Sequence, residues 1–95
     1  MSRPEVLRIF VYDISDDRRR NRVAETLEEV AVRVQFSVFE ARLTRAATNA
    51  VIARLRPNLT ADDSLRVYTV PADAVRHCTV IGGPPLPEDQ DYWLF

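Results

Sequence analysis

The stretch VLRIFVYDI, residues 6–14, constrains the fold more than any other part of the chain. A run this nearly continuous in apolar residues, rich in β-branched and aromatic types, suits a strand covered on both faces. It is expected to be the first, central strand. Ser15 and Asp16 offer helix-capping oxygens, and Asp16 and Asp17 stand where a helix dipole favours negative charge. Val23, Leu27 and Val30 then recur at helical spacing, which predicts a helix over about 16–31.

In RVQFSVFEARL, Val34, Phe36 and Val38 alternate with Gln35 and Ser37, the period of a half-buried strand that either continues through Leu43, kinks or splits. Thr44 can cap a second helix in which Ala47, Val51 and Leu55 share a face, and Pro57 stops it. SLRVYTV at 64–70 alternates as another strand, ADAVRHC connects, and CTVIG reads as one more strand before Gly82-Gly83-Pro84-Pro85 breaks regular structure. At 95 residues, with 46% hydrophobic and 28% charged side chains, this is the composition of one compact domain. The expected architecture is an α+β sandwich with helices on one face of an antiparallel sheet, for which a ferredoxin-like βαββαβ arrangement is a natural solution. The domain is expected over 1–83. Residues 84–95 form a tail ending in Tyr92, Trp93, Leu94 and Phe95, too apolar to leave in water, so the tail is expected to add a strand either to its own sheet or, the favoured reading, to that of a second copy.

Several chemistries are excluded early. One cysteine, Cys78, forms no intrachain disulfide or cysteine-rich zinc site, and one histidine, His77, rules out motifs needing two. His77 reads as a lone surface residue. No apolar run approaches the roughly 18 residues that span a bilayer, so a cytoplasmic protein with no membrane partner is expected. All 13 cations are arginine, and residues 1–60 hold eleven of them against eight acids, while residues 61–95 hold two against six. Planar guanidinium groups suit bidentate phosphate contact, although genomic base composition alone also yields arginine for lysine.

Asp13 ends the apolar strand, where a carboxylate is costly unless paired, metal-bound or hydrogen-bonded to turn amides. As a metal ligand it suits a hard cation such as Mg²⁺, which takes one or two carboxylates plus waters and substrate phosphate. A single Asp per chain then suffices if two-fold symmetry doubles it. Asp16 and Asp17 are explained by capping and dipole and are not assigned to metal. Arg18, Arg19, Arg20 and Arg22 crowd the first helical turns. Arg18, Arg19 and Arg22 share an exposed flank. Arg20 borders the apolar face, placed either to pair with Asp13 or to clamp a substrate phosphate. Arg33, Arg42, Arg45, Arg54 and Arg56 extend the basic half, a phosphate track if they converge. Tyr12, Phe39 and Tyr68 are either base-stacking or packing aromatics.

YDISDDRRRNRVAETL at 12–27, followed by RVQFSVFEARL at 33–43, closely resembles the second core CRISPR-associated family. These are small dimeric proteins of CRISPR adaptation, also described as metal-dependent endonucleases. The resemblance implies a homodimer with an exchanged C-terminal strand, and one Mg²⁺ held between the Asp13 residues of the two chains. It implies catalytic roles for Asp13, Arg20 and Arg22, and activity or substrate contact for Tyr12, Arg33, Ser37 and Phe39, while Arg18 and Arg19 on the exposed flank are expected to bind substrate. Hydrolysis of RNA or DNA phosphodiesters follows, with a CRISPR integrase subunit as partner. The alternatives are a non-catalytic DNA-binding scaffold that bridges integrase dimers and a toxin-like messenger ribonuclease on the same fold.

Overall fold

A computed structural model describes residues 3–88 of the chain. Strand β1 (Val6–Asp13) leads to helix α1 (Asp17–Glu28), then β2 (Val32–Gln35), β3 (Val38–Leu43), helix α2 (Arg45–Leu55) and β4 (Ser64–Val70). Short 3₁₀ turns follow α2 at Arg56–Asn58 and β4 at Ala72–His77. The sheet runs β2-β3-β1-β4 with every neighbouring pair antiparallel, so the apolar first strand is central as expected, but only its helix-facing side is fully covered, and Ile9 and Val11 on the other side are half-buried. This is the ferredoxin-like βαββαβ arrangement.

Register assigns the two faces. Phe10 pairs with Phe39 and Val67, and these residues, with Tyr12, Val23, Leu27, Val51 and Leu55, make the core beneath the helices. The alternate positions Ile9, Val11 and Asp13 share the opposite face with Val38, Glu40, Arg66 and Tyr68. The 3₁₀ turn after β4 packs against β1. Both helices start where the sequence indicates: the Asp16 carboxylate accepts from the Arg19 amide at 3.0 Å, and the Thr44 hydroxyl accepts from the Ala47 amide at 3.1 Å.

Three expectations are corrected, and one open alternative, the split of 33–43, is decided. Helix α1 stops at Glu28, because the amides of Val30 and Ala31 both turn back onto the Leu27 carbonyl and lead the chain into β2, leaving Val30 exposed. The segment 33–43 splits into a hairpin, with a register shift between Arg33 and Gln35. On α2 the buried stripe is Thr48, Val51 and Leu55 rather than one starting at Ala47. Thr48 is tolerated inside because its hydroxyl donates to the Thr44 carbonyl at 2.8 Å. Residues 78–82 form no strand. They pass beside Val34, Gln35 and Glu40 without pairing to either sheet edge, and Gly82 turns the chain at φ 75°. The expected docking of the apolar C-terminal cluster falls outside the described residues. No helix among the described residues is long and apolar enough to cross a membrane.

Candidate active site at the end of the first strand

Two consecutive residues of β1 behave in opposite ways. Tyr12 faces the helices, is 3% exposed, stacks on Phe39 with ring centroids 6.2 Å apart, and donates its hydroxyl to the Phe36 carbonyl at 3.2 Å. Its backbone amide donates to the Ser37 carbonyl at 3.1 Å, which fixes the β2–β3 turn beside the end of β1. Asp13 takes the other face, opposite Ser64 of β4, and is exposed. Its carboxylate has no hydrogen bond or ion pair among the described residues, so the reading in which it bonds turn amides is not realised here.

Arg33 lies over the Phe39 ring with its guanidinium carbon 5.3 Å from the centroid, and donates Nε and Nη2 to the Phe36 carbonyl at 3.0 and 2.7 Å. Tyr12, Phe39 and Arg33 therefore form one supporting stack beneath the turn. Of the two roles expected for Tyr12 and Phe39, activity or substrate contact, their burial suits support of the site: Phe39 has no exposed surface, and both rings pack under β1 and the turn. Ser37 is half-buried and enters through its carbonyl.

The arginine block divides as well. Arg19 is drawn out of the shared flank: its Nη2 and Nε donate to Asp63 Oδ2 at 3.1 and 3.3 Å, and that carboxylate, 1% exposed, also accepts from the amide and hydroxyl of Thr60. The Thr60 amide and the Arg19 charge outweigh burial and hold the Asp63 carboxyl below its ordinary value. Arg20 pairs with Asp17, not Asp13, and donates to the carbonyls of Ile14 and Ser15 at 3.1 and 3.4 Å, so its guanidinium sits on the turn that follows Asp13. Arg18 and Arg22 are exposed and make no ion pair among the described residues. Farther along, Arg54 bonds Glu29 at 2.9 Å and lowers that carboxyl, and Arg42 donates to the Glu5 carbonyl, so these two are engaged in the fold rather than in a free phosphate track. On the open face Glu40 lies between Ile9 and Val32, and burial pushes its carboxyl above the ordinary range.

Sequence reasoning missed Asp63, Glu40 and Arg66. Arg66 lies on the same face as Asp13, diagonal to it, and donates to the Tyr68 hydroxyl at 3.2 Å. The alternation that placed Arg66 on one side of β4 was legible, but not which strand lay beside it.

Comparison with known proteins fixes the family. Residues 6–77 match the family of CRISPR associated protein Cas2. The chain belongs to the Cas2 family. A Cas2 relative in Synechocystis sp., named CRISPR-associated endoribonuclease Cas2 3, is 41% identical over 81 residues, covering 84% of this chain and 88% of the relative. Among solved structures, the Cas2-family chain resembles a hypothetical protein, TT1823, from Thermus thermophilus, with a TM-score of 0.74 and 38% identity over 88% of this chain and 99% of that one. It shares its fold with a chain in a partial Cas6-RT-Cas1–Cas2 complex, with a TM-score of 0.64 and 24% identity over 87% of this chain and 98% of that one. The α+β fold read from the periodicity and the family read from the two segments both hold.

Proposed function

We propose that this chain is a nuclease of CRISPR adaptation that hydrolyses phosphodiester bonds with Mg²⁺ at Asp13. The observation that carries this reading is the exposed Asp13 carboxylate at the end of an otherwise apolar strand, with no partner among the described residues. A carboxylate positioned by strand register and open to solvent, with no protein cation competing for it, can serve as a ligand to a hard cation. No group of three or more carboxylate, imidazole or thiolate ligands gathers among the described residues. The donor set therefore fits Mg²⁺, which retains waters and accepts substrate oxygens, better than a metal that demands a full protein cage. A second Asp13 from another copy of the chain would complete the site in a homodimer.

When bound, the ion would polarise the phosphoryl group and acidify a bound water. The chain's own contribution is placement. β1 fixes the carboxylate, Arg20 keeps positive charge on the adjoining turn, and Arg22 is exposed to meet a phosphate oxygen where charge develops. Labelled single-stranded RNA and double-stranded DNA, each with Mg²⁺ or EDTA, test the reading with the parent protein and Asp13→Asn side by side. Cleavage only by the parent and only with Mg²⁺ is expected, and it names the nucleic acid. Equal cleavage by both proteins would sink the assignment.

A second reading is favoured by the exposed, unpaired Arg18 and Arg22: a scaffold that grips the phosphate backbone and assembles with an integrase subunit. It requires those arginines and not Asp13, so spacer acquisition in cells carrying Asp13→Asn separates the two.

A further inference from the structure

At the tip of the β2–β3 hairpin Phe36 is 90% exposed, a full aromatic face left to solvent. The backbone under it is held more firmly than a hairpin tip requires. Its carbonyl accepts from the Tyr12 hydroxyl and from two nitrogens of Arg33, and the next carbonyl, of Ser37, accepts from the Tyr12 amide. Three of these four bonds converge on one oxygen, and two of the four start from the residue that precedes Asp13. The ring is thus presented on a fixed mount at the candidate active-site end of the sheet. It borders a shallow cleft lined by Arg33, Val34, Gln35 and Phe36, in which the one charged side chain is a guanidinium.

The Arg33 guanidinium also reaches Glu28 Oε1 at 3.5 Å through Nη1, an exposed pair whose carboxylate lies outside the cleft lining and which a phosphate can displace. An exposed ring beside that guanidinium has the two elements that single-strand binders combine: a π platform for a base and positive charge for the backbone. A rigid turn also loses little conformational freedom when a ligand settles on it. We propose that Phe36 is a base-stacking residue, its ring taking the face of a nucleobase whose neighbouring phosphate lies toward Asp13, with Arg33 supplying the adjacent charge. This deepens the nucleic-acid reading and rests on it. An unpaired base and the terminal pair of a duplex present the same π face, and the test distinguishes them.

A short labelled single strand and a blunt duplex of the same sequence are titrated by fluorescence anisotropy, in EDTA, with the parent protein, Phe36→Leu and Phe36→Trp. Leucine keeps apolar bulk and removes the π face. Because the ring is exposed, all three proteins are expected to melt together. Phe36→Leu is expected to weaken binding about tenfold, and Phe36→Trp to restore it. An abasic nucleotide at one position of the strand should weaken the parent equally and add nothing to the leucine variant. A loss confined to the single strand assigns an unpaired base, and a loss shared by the duplex assigns a terminal pair. Unchanged binding in Phe36→Leu, with no abasic position coupled to it, overturns the proposal while leaving nucleic-acid binding intact. Weaker self-association in sedimentation with unchanged oligonucleotide binding also overturns it, by assigning the ring to a protein contact. A parent protein that binds neither oligonucleotide removes the nucleic-acid reading itself.

Discussion

Asp13 closes β1 and Asp63 immediately precedes β4, in strands that pair directly at this end of the sheet, yet the two carboxylates have opposite surroundings. Asp63 is 1% exposed and bonded to Arg19 and Thr60, whereas Asp13 is exposed and has no partner among the described residues. Asp63 is satisfied by the fold and therefore belongs to stability. Asp13 is left unsatisfied by the fold and is therefore available to something outside it. In a chain with 14 acids, position alone does not separate such roles, but partners do.

The largest expected effect tests that division directly. Asp13→Asn should lower phosphodiester cleavage by at least about 100-fold, with its melting temperature unchanged, while Asp63→Asn should do the reverse, melting earlier and cleaving normally once folded. Paired cleavage assays and thermal melts check both halves. A parallel contrast holds among the arginines. Arg18→Glu with Arg22→Glu should weaken nucleic-acid binding and reduce the slope of log affinity against log salt by about 2, whereas Arg19→Met should lower the melting temperature more than it changes that slope.

Proton linkage sharpens the comparison further. The folded-state pKa of Asp63 lies below its ordinary value of 3.8, so its stabilisation is complete above that value and disappears as pH falls through the depressed one. Acid melts should therefore show a shallower pH dependence for Asp63→Asn than for the parent, in that window alone. The smallest effect concerns the support beneath Asp13. Tyr12→Phe removes the hydroxyl bond to the Phe36 carbonyl and should cost about 1 kcal/mol in chemical denaturation, because Arg33 still satisfies that oxygen.

Local signals were well legible in the sequence. Asp16 and Thr44 cap the helices they were expected to cap, Val23 and Leu27 fill the core, and the apolar run at 6–14 lies inside the sheet, because each of these follows from residues a few positions apart. Arg19 and Asp63 are separated by 44 positions, and no spacing rule brings them together. That one contact takes Arg19 off the exposed flank and buries Asp63. CTVIG failed for a related reason: its composition suits a strand, but a strand is a property of a pair of segments, and no partner edge for it lies among the described residues. Composition leaves Tyr12 and Phe39 as either stacking or packing aromatics, and only the cross-strand register, which turns both toward the helices, makes them packing residues of the fold.

The alternation along β1 also limits how such a chain can vary. Tyr12 and Asp13 occupy opposite faces because they are adjacent, so deleting a single residue between Val6 and Tyr12 would turn the carboxylate into the apolar core and the tyrosine ring into water. Substitutions along the strand can be absorbed one at a time, whereas a change of length exchanges both roles at once. The spacing of this strand is thus a parity constraint, tolerant of which apolar residues it contains and intolerant of how many.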